Sequence, residues 1–263
     1  MRICVLGSGS RGNCTLVEAG RTALLIDNGF SGAEISRRLH AIGRGPSMLT
    51  AILVTHEHHD HITGVGILSR QAALPVYANV PTHRAAEDRL GRLAARLEFG
   101  TGETFAIGDL QIHPFAVSHD TADPVGFVVT DGRYRVGYCT DTGQITTLIG
   151  HHLRGCHALI LESNHDPQML RDGPYPLKLQ QRVRSSQGHL ANEDAGRFLQ
   201  QTVGGNSKLV HVVLAHLSEP NNLPRLALEA ARASLGPAFA RLSIITAAQD
   251  RPCPLLDLAI GGD

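Results

Sequence analysis

Disulfide chemistry and thiolate metal sites are the first things that this sequence of 263 residues lacks. Its five cysteines are Cys4, Cys14, Cys139, Cys156 and Cys253, and no two of them form a Cys-x-x-Cys pair. An odd number of cysteines without that spacing argues against both a disulfide framework and a zinc site built from thiolates. A reducing compartment fits this usage, and we expect the protein to be cytoplasmic.

A net charge is absent as well, because 24 lysines and arginines balance 24 aspartates and glutamates. The global electrostatic signature of a protein that binds long nucleic acid is therefore missing, although local basic patches remain possible. No apolar run approaches the length of a membrane span, and Met1 to Leu6 resembles a short strand rather than a signal peptide. We expect a soluble protein with no membrane partner. No segment has the composition of a linker, so we predict a single domain over residues 1–263.

Histidine is the residue type in excess, with fifteen copies. Four of them fall in the stretch His-Glu-His-His-Asp-His that starts at His56, after an apolar run that predicts a buried strand. Histidine and aspartate need partners when they are buried and add no apolar area, so packing does not explain this stretch. We predict that His56 and His58 bind one metal ion, that Asp60 and His61 bind a neighbour, and that His59 faces outward. Imidazole and carboxylate ligands suit zinc first, with manganese or iron as alternatives.

Further polar residues stand where other strand-like runs end. They are Asp27, His119, Asp141, His165 and His216. One histidine at a strand end means little, but this repetition predicts a shared site at one edge of a sheet, where α/β proteins place their chemistry. Each aspartate could also be an ordinary turn residue, because a glycine follows it two positions later.

The segment Gly-Ser-Gly-Ser-Arg-Gly at residues 7–12 matches the dinucleotide-binding pattern G-x-G-x-x-G. That pattern requires a helix to open at its last glycine, whereas the following residues predict two strands around a turn. We therefore reject dinucleotide binding. Two interpretations stay open: a tight turn, or a nest of backbone N–H groups near a phosphate or the metals, with Asn13 adding a side-chain donor.

Two local predictions concern other parts of the chain. Residues 81–97 predict one helix whose arginines form a solvated face. Residues 126–130 and 134–139 predict a hairpin across Asp131-Gly132, which is a signal for a type I′ turn.

Taken in order, the motifs of this sequence resemble those of the metallo-β-lactamase superfamily. They are Gly-Ser-Gly-Ser-x-Gly-Asn, Thr-His-Glu-His-x-Asp-His, Val-Ser-His-Asp, Thr-Asp-Thr-Gly, Glu-Ser-Asn-His-Asp, Gly-His-Leu-Ala-Asn-Glu-Asp-Ala and Leu-Ala-His-Leu-Ser. In this detail they are similar to the YycJ/WalJ-type branch, whose members are described as phosphodiesterases with 5′-to-3′ exonuclease activity on DNA. The resemblance covers nearly the whole chain. It implies an α/β (α+β) fold, a four-layer αββα sandwich with two divalent metal ions at one edge.

The resemblance implies seven metal ligands, in two sets that a carboxylate bridges. The first set is His56, His58 and His119, the second is Asp60, His61 and His216, and the bridge is Asp141. Asp27 is expected to accept the second N–H of a metal-binding histidine. No ligand is missing, but residue 191 is alanine where many relatives have serine.

The resemblance also implies a mechanism, in which a water shared by two metal ions loses a proton and attacks phosphorus in line. Asp60 or Asp141 is expected to orient the water, and His165 or His189 to protonate the leaving oxygen. Substrate contacts are predicted at Asn13, Asn164, Arg171, Lys178, Arg182, Arg184 and Asn192. The four basic residues among them would form a local phosphate patch, although a solvated loop explains them nearly as well.

The sequence therefore predicts a dinuclear-metal phosphodiesterase, a nuclease that acts from a 5′ end on single-stranded or 5′-phosphorylated DNA or RNA. The alternative is a hydrolase of the same fold that acts on a small cyclic phosphodiester, a thioester or a lactone, which the neutral net charge favours. A metal-stabilised binding module without activity is the third option. The oligomeric state stays open, with a homodimer among the options.

Overall fold

The computed structural model describes residues 1–205 and 208–259. The single domain expected over residues 1–263 also includes residues 206–207 and 260–263, which lie outside the described residues. The single-domain organisation stays a prediction.

Within the described ranges the chain forms fourteen strands. In chain order they are β1 (Arg2–Gly7), β2 (Cys14–Ala19), β3 (Thr22–Ile26), β4 (Ala51–Leu53), β5 (Pro75–Ala78), β6 (Ala95–Glu98), β7 (Phe105–Ile107), β8 (Leu110–Ala116), β9 (Val125–Thr130), β10 (Arg135–Cys139), β11 (Ala158–Glu162), β12 (His211–Ala215), β13 (Ser243–Thr246) and β14 (Leu256–Asp257).

These strands form two sheets, each of seven strands when counted over the described residues. The first has the order β14-β1-β2-β3-β4-β5-β6, and the second has the order β13-β12-β11-β10-β9-β8-β7. Strands β3 to β6 run parallel in the first sheet, and strands β10 to β13 run parallel in the second. Because parallel strands end at the same edge of a sheet, the residues that follow them are brought close together.

The core between the sheets is formed by alternate residues of each strand. In β3, Leu24 and Ile26 belong to the core between the sheets, whereas Leu25 packs on the outer side. The second sheet contributes Phe127 and Ile160 to the same core. Both faces of the central strands are covered, which is why these strands are continuous apolar runs in the sequence rather than alternating patterns.

Helices cover the two outer faces, and the described residues contain nine α-helices. They are α1 (Gly32–Ala41), α2 (His59–Ile62), α3 (Val65–Ala72), α4 (Val80–Leu90), α5 (Thr147–Leu153), α6 (Pro167–Asp172), α7 (Leu177–Val183), α8 (Asn192–Gly204) and α9 (Pro224–Leu235). Apolar residues of α1, α3 and α4 pack on the first sheet, and those of α5, α8 and α9 pack on the second. The order helix, sheet, sheet, helix confirms the predicted four-layer sandwich.

The single helix predicted over residues 81–97 is wrong in its second half. Helix α4 ends at Leu90 because Gly91 has a φ of 59°, which residues other than glycine rarely adopt. The chain then continues into β6, an exposed edge strand that contains Arg96. Charged side chains on such an edge oppose pairing with another chain.

The predicted hairpin of β9 and β10 is present, but its turn is not of type I′. Thr130 pairs with Arg135, so residues 131–134 form a longer loop. A type I′ turn needs a positive φ at both central residues, and here Gly132 has one whereas Asp131 does not. Instead, the carboxylate of Asp131 accepts the backbone N–H of Tyr134 at 2.7 Å.

Over the described residues, no helix combines the length and the apolar character that crossing a membrane requires.

Candidate metal centre

Three residues beyond the ends of parallel strands have a left-handed backbone. Asp27 and His216 directly follow β3 and β12, Asp141 lies two residues beyond β10, and their φ values are 59°, 56° and 56°. Such values cost about 1–3 kcal/mol for residues other than glycine and persist only where surrounding contacts impose them. The backbone strain therefore marks the edge of the sheets at which the sequence predicts a site.

The first ligand cluster joins the two sheets. His56 and His58 follow β4 of the first sheet, and His119 follows β8 of the second. Nδ1 of His58 lies 3.2 Å from Nε2 of His119. The ring of His56 packs edge-on against both, with centroid distances of 4.8 and 5.3 Å. The structure thus brings together the three histidines that were predicted to share one ion.

The second ligand cluster consists of Asp60, His61 and His216. Nε2 of His61 lies 3.5 Å from Oδ2 of Asp60, and Nε2 of His216 lies 3.4 Å from the same oxygen. Asp60 and His61 are part of the single turn α2, whereas His216 arrives from the end of β12. His59, in the same turn, is exposed.

Asp141 lies between the two clusters. Its Oδ2 is 3.4 Å from Nε2 of His61, and its Oδ1 is 3.4 Å from Nε2 of His216 and 3.9 Å from Nε2 of His119. The carboxylate therefore faces one histidine of the first cluster and two of the second.

These residues fit divalent metal ions by distance and by hydrogen-bond capacity. Two atoms that each lie about 2.1 Å from one ion are at most roughly 4.2 Å apart, and the distances of 3.2 to 3.9 Å around His58, His119 and Asp141 satisfy that limit. In addition, Nε2 of His56 and Oδ2 of Asp141 are buried without a hydrogen-bond partner of good geometry. Buried polar atoms rarely lack one, and imidazole with carboxylate is a donor set for divalent ions.

Asp27 supports the second cluster through a contact with His61. It is fully buried, and its Oδ2 lies 2.8 Å from Nδ1 of His61. The same carboxylate accepts the backbone N–H and the hydroxyl group of Thr55, each at 2.8 Å. Because Nδ1 of His61 is held by Asp27, its Nε2 is directed to Asp60 and Asp141. Burial raises the pKa of Asp27, and the bonds from His61 and Thr55 only partly offset that effect.

The glycine-rich loop of residues 7–12 supports the ligands rather than a nucleotide. Asn13, which was predicted to contact substrate, is 1% exposed, and its amide donates to Oδ2 of Asp60 at 3.1 Å. The hydroxyl group of Ser8 donates to Oδ1 of Asn13 and accepts the backbone N–H of His216, both at 2.8 Å. The loop therefore links a ligand of the first sheet to one of the second, and Ser8 is a contributor that the sequence analysis did not single out.

Glu162 is the main residue that the sequence analysis missed. It ends β11 and is fully buried, and its Oε1 lies 2.8 Å from Nδ1 of His189 and 3.2 Å from Nδ1 of His216. Burial alone raises the pKa of Glu162, but His189 and His216 lower it to about 2, so the carboxylate is ionised. Its position could have been identified from the sequence, because Glu162 is a glutamate at the end of an otherwise apolar strand. A buried carboxylate at such a position requires partners.

The two predicted proton donors occupy different surroundings. The ring of His189 stacks on His216 with a centroid distance of 5.2 Å and lies 5.0 Å from His119, and its side chain is 20% exposed. His165 is 2% exposed, and its Nδ1 is buried without a partner. Burial lowers the pKa of His165 to about 4, so this ring is neutral at pH 7. The geometry favours His189 as the donor.

Two asparagines predicted to bind substrate are buried, and their side chains form hydrogen bonds with loop residues near the site. The amide of Asn164 donates to the backbone carbonyl of His216 at 2.8 Å. Asn192 accepts the hydroxyl group of Ser163 at 2.6 Å and an amide N–H of Asn222 at 2.9 Å.

The four basic residues predicted to contact phosphate are exposed, and one of them is tied to the site. Nε of Arg182 in α7 donates to Oδ2 of Asp120, next to His119, at 2.6 Å. Arg171 pairs with its neighbour Asp172 at 3.7 Å. Lys178 and Arg184 project into solvent.

The charges of the cluster are set by competition between burial and neighbouring groups. Burial lowers the pKa of His56 and His58, so both are neutral and able to bind a metal ion. Burial alone also lowers the pKa of His216, but Asp141, Asp60 and Glu162 raise it to about 10. The neighbouring histidines in turn hold the pKa of Asp60 and of Asp141 below the usual range despite burial, so both stay ionised.

The fold and this cluster define the chain as a metal-binding αββα sandwich. Residues 22–212 match the family described as the beta-lactamase superfamily domain. The chain is 37% identical over 229 residues to exodeoxyribonuclease YycJ of Bacillus anthracis, with 86% of each protein covered. It is 38% identical over 227 residues to exodeoxyribonuclease WalJ of Streptococcus pneumoniae, covering 85% of this chain and 84% of that protein. The chain therefore belongs to the metallo-β-lactamase superfamily, in the family of the YycJ and WalJ proteins.

A solved structure shows the shared fold. The metallo-beta-lactamase fold protein YhfI from Bacillus subtilis superposes with a TM-score of 0.74 at 18% identity, covering 96% of this chain and 98% of that one.

Proposed function

We propose that this protein is a metal-dependent phosphodiesterase, an exonuclease that removes nucleotides from a 5′ end of DNA. The observation that carries the proposal is the position of Asp141 between two histidine clusters, within 3.9 Å of a histidine in each. The similar proteins, which align over most of their length with this chain, are named exodeoxyribonucleases. Their activity and the spacing of these residues support the same chemistry.

The metal ions would be held by the seven predicted ligands. His56, His58 and His119 would bind one ion, Asp60, His61 and His216 the other, and Asp141 would contact both. Two bound divalent ions lower the pKa of water and neutralise charge that develops on the phosphoryl oxygens. We propose zinc first, with manganese or iron as alternatives.

His189 would donate a proton to the leaving oxygen. Glu162 holds Nδ1 of His189 at 2.8 Å, which leaves Nε2 as the nitrogen that meets the substrate. An ionised carboxylate behind an imidazole fixes its orientation and stabilises its protonated form. His165, which is buried and neutral, would be the less effective donor.

Three residues outside the ligand set hold individual ligands in position through their side chains. Asp27 fixes His61, Glu162 fixes His216, and Asn13 fixes Asp60. Asp27 and Glu162 contact Nδ1 of their histidines, on the side that faces away from the other ligands, which is how proteins orient metal-binding groups. Asn13 instead donates to Oδ2 of Asp60, the oxygen that lies near His61 and His216.

The test is release of mononucleotides from 5′-phosphorylated single-stranded DNA by purified protein supplied with Mn²⁺ or Zn²⁺. We expect turnover that a chelator abolishes and that Asp141→Asn lacks. Parallel assays with 5′-hydroxyl DNA, RNA and a small cyclic phosphodiester define the substrate class. Turnover of the cyclic phosphodiester alone would favour the small-molecule alternative, and no turnover with any metal would refute the proposal.

A further inference from the structure

A second site lies on the outer face of the second sheet, away from the metal centre. Outward-facing residues of β8 to β10 and the end of α5 enclose a groove of about 400 Å³. We call it the flank groove, and its polar lining is Thr104, Gln111, His113, Thr130, Arg135, His151 and His152. Its volume is in the range of ligand-binding pockets.

The histidines of the flank groove are held in fixed positions. Nε2 of His113 lies 3.2 Å from Nδ1 of His152, and Nδ1 of His113 lies 3.0 Å from the hydroxyl group of Thr104. The ring of His152 stacks on Phe115 with a centroid distance of 5.2 Å and an interplanar angle of 13°. These contacts leave Nε2 of His152 without a protein hydrogen bond among the described residues. The groove is therefore built before any ligand arrives.

The flank groove contains one permanent positive charge, at Arg135. Among the described residues, no carboxylate lines it and no carboxylate forms an ion pair with Arg135. The pKa of His113 is lowered by burial and by Arg135, and that of His152 by burial and by the cations around it, of which His113 contributes most. An anion in the groove would pair with Arg135 and would favour protonation of both imidazoles, because a nearby negative charge raises the pKa of a histidine.

A pair of histidines can bind either a metal ion or a phosphate group. The positive charge of Arg135 decides between these two ligands. A metal ion would bind beside the permanent positive charge of Arg135 and without any carboxylate, which is unfavourable. A phosphate group would find the guanidinium of Arg135, Nε2 of His152 and the side-chain amide of Gln111. The lining of the groove matches phosphate.

We propose that the flank groove binds backbone phosphates of a nucleic-acid strand whose 5′ end lies in the metal centre. This inference rests on the proposed nuclease function.

The chain between the two sites sets an upper limit on the distance that separates them. His113 and the proposed ligand His119 are six residues apart in the chain, so they are separated by at most roughly 20 Å at about 3.3 Å per residue. A DNA strand advances about 3.4 Å per nucleotide. A strand of roughly six nucleotides is therefore long enough to reach both sites, and a 12-nucleotide strand is more than sufficient.

The test compares Arg135→Gln with Arg133→Gln, which removes the same charge from an exposed residue on the same hairpin outside the groove. We expect Arg135→Gln to raise KM roughly tenfold for a 12-nucleotide strand, as for loss of one charged hydrogen bond, and to leave kcat unchanged. KM for bis(p-nitrophenyl) phosphate, whose single phosphate can occupy only the metal centre, should not change, and Arg133→Gln should behave as wild type. Loss of one phosphate contact should also reduce the slope of log K against log salt by about 0.7. Equal effects of Arg135→Gln on both substrates, or no effect on either, would overturn the proposal.

A second measurement separates failure of this inference from failure of the proposed function. Binding of a fluorescent 12-nucleotide strand is measured by anisotropy in the presence of a chelator, where no turnover occurs. Weaker binding by Arg135→Gln and by His152→Gln supports the groove even if the wild type cleaves no DNA. Binding equal to wild type in both variants refutes it. If inorganic phosphate shifts the NMR signals of His113 and His152 but strand binding is unchanged in the variants, the groove is a site for free phosphate and the strand proposal is wrong.

Discussion

The two sheets contribute to the metal centre in different ways. The first sheet supplies His56, His58, Asp60 and His61 from one segment of six residues, whereas the second supplies His119, Asp141 and His216 from three separate strand ends. In the first case, the local chain sets the spacing of the ligands. In the second, the packing of β8, β10 and β12 sets it, and two of the three residues have a strained backbone. The comparison teaches that half of the centre is a local motif and the other half is a product of the fold.

Each half also has its own buried carboxylate. Asp27 holds one ligand, His61, at 2.8 Å. Glu162 holds the ligand His216 and the proposed proton donor His189, at 3.2 and 2.8 Å. In the proposed function, the second half would therefore join metal binding to proton transfer, and the first half would take part in metal binding alone.

The largest expected effect is that of a substitution at Asp141, where the two halves of the centre meet. Asp141→Asn removes the charge that faces both clusters, and we expect activity to fall about 10⁴-fold, since metal ions supply several kcal/mol of transition-state stabilisation. Metal content by elemental analysis should fall with it. His59→Ala is the control, because His59 lies within the contiguous motif but is exposed. Unfolding of Asp141→Asn in an otherwise inert protein would favour the metal-stabilised binding module.

The next largest effect concerns proton transfer in the second half. His189→Gln should lower kcat about 10²- to 10⁴-fold with unchanged metal content, as expected for loss of a general acid. A substrate with a p-nitrophenolate leaving group needs no proton, so most of the loss should disappear with it. His40→Gln, which alters an exposed histidine on α1, is the control. An equal loss with both leaving groups would assign His189 a role in binding instead.

The two buried carboxylates provide a direct test of the comparison. Asp27→Asn and Glu162→Gln should each weaken metal binding about 10- to 100-fold, because both orient a ligand. At saturating metal, Asp27→Asn should recover kcat, whereas Glu162→Gln should stay impaired because it also orients His189. Metal titrations of activity measure both quantities. Full recovery of both variants would show that the two halves do not differ in this respect.

The smallest effect concerns stability alone. Ala191 is the N-cap of α8 and makes no side-chain hydrogen bond to the helix. Ala191→Ser should stabilise the protein by about 1 kcal/mol, and Ala191→Gly by somewhat less, because serine accepts a free backbone N–H there. Denaturant unfolding measures the difference, and activity should not change. A loss of activity without a gain in stability would mean that residue 191 contacts substrate.

Prediction from the sequence succeeded for polar residues that stand at the ends of apolar runs, where packing does not explain them. The histidine motif after β4 and the aspartates after β3 and β10 could be identified because each ends an apolar run. Glu162 follows the same pattern at the end of β11, but a single glutamate there has many ordinary explanations. Ser8 and Asn13 gave no local signal, since their partners Asp60 and His216 are distant in the chain. The end of α4 was missed because the apolar pattern continues past Gly91.

The sequence alone determined the edge at which the polar residues gather and the residue types offered to metal ions, because these follow from apolar periodicity and from the cost of burying polar groups without partners. The four-layer fold was implied by the resemblance of its motifs to those of the metallo-β-lactamase superfamily. The tertiary structure decided which polar residues face the two clusters and which stand behind them as supports. It turned Asn13, Asn164 and Asn192 inward, set Glu162 behind His189, and gathered three histidines and Arg135 around the flank groove. Those relations join residues far apart in the chain, and only the packing of the sheets fixes the distances between them.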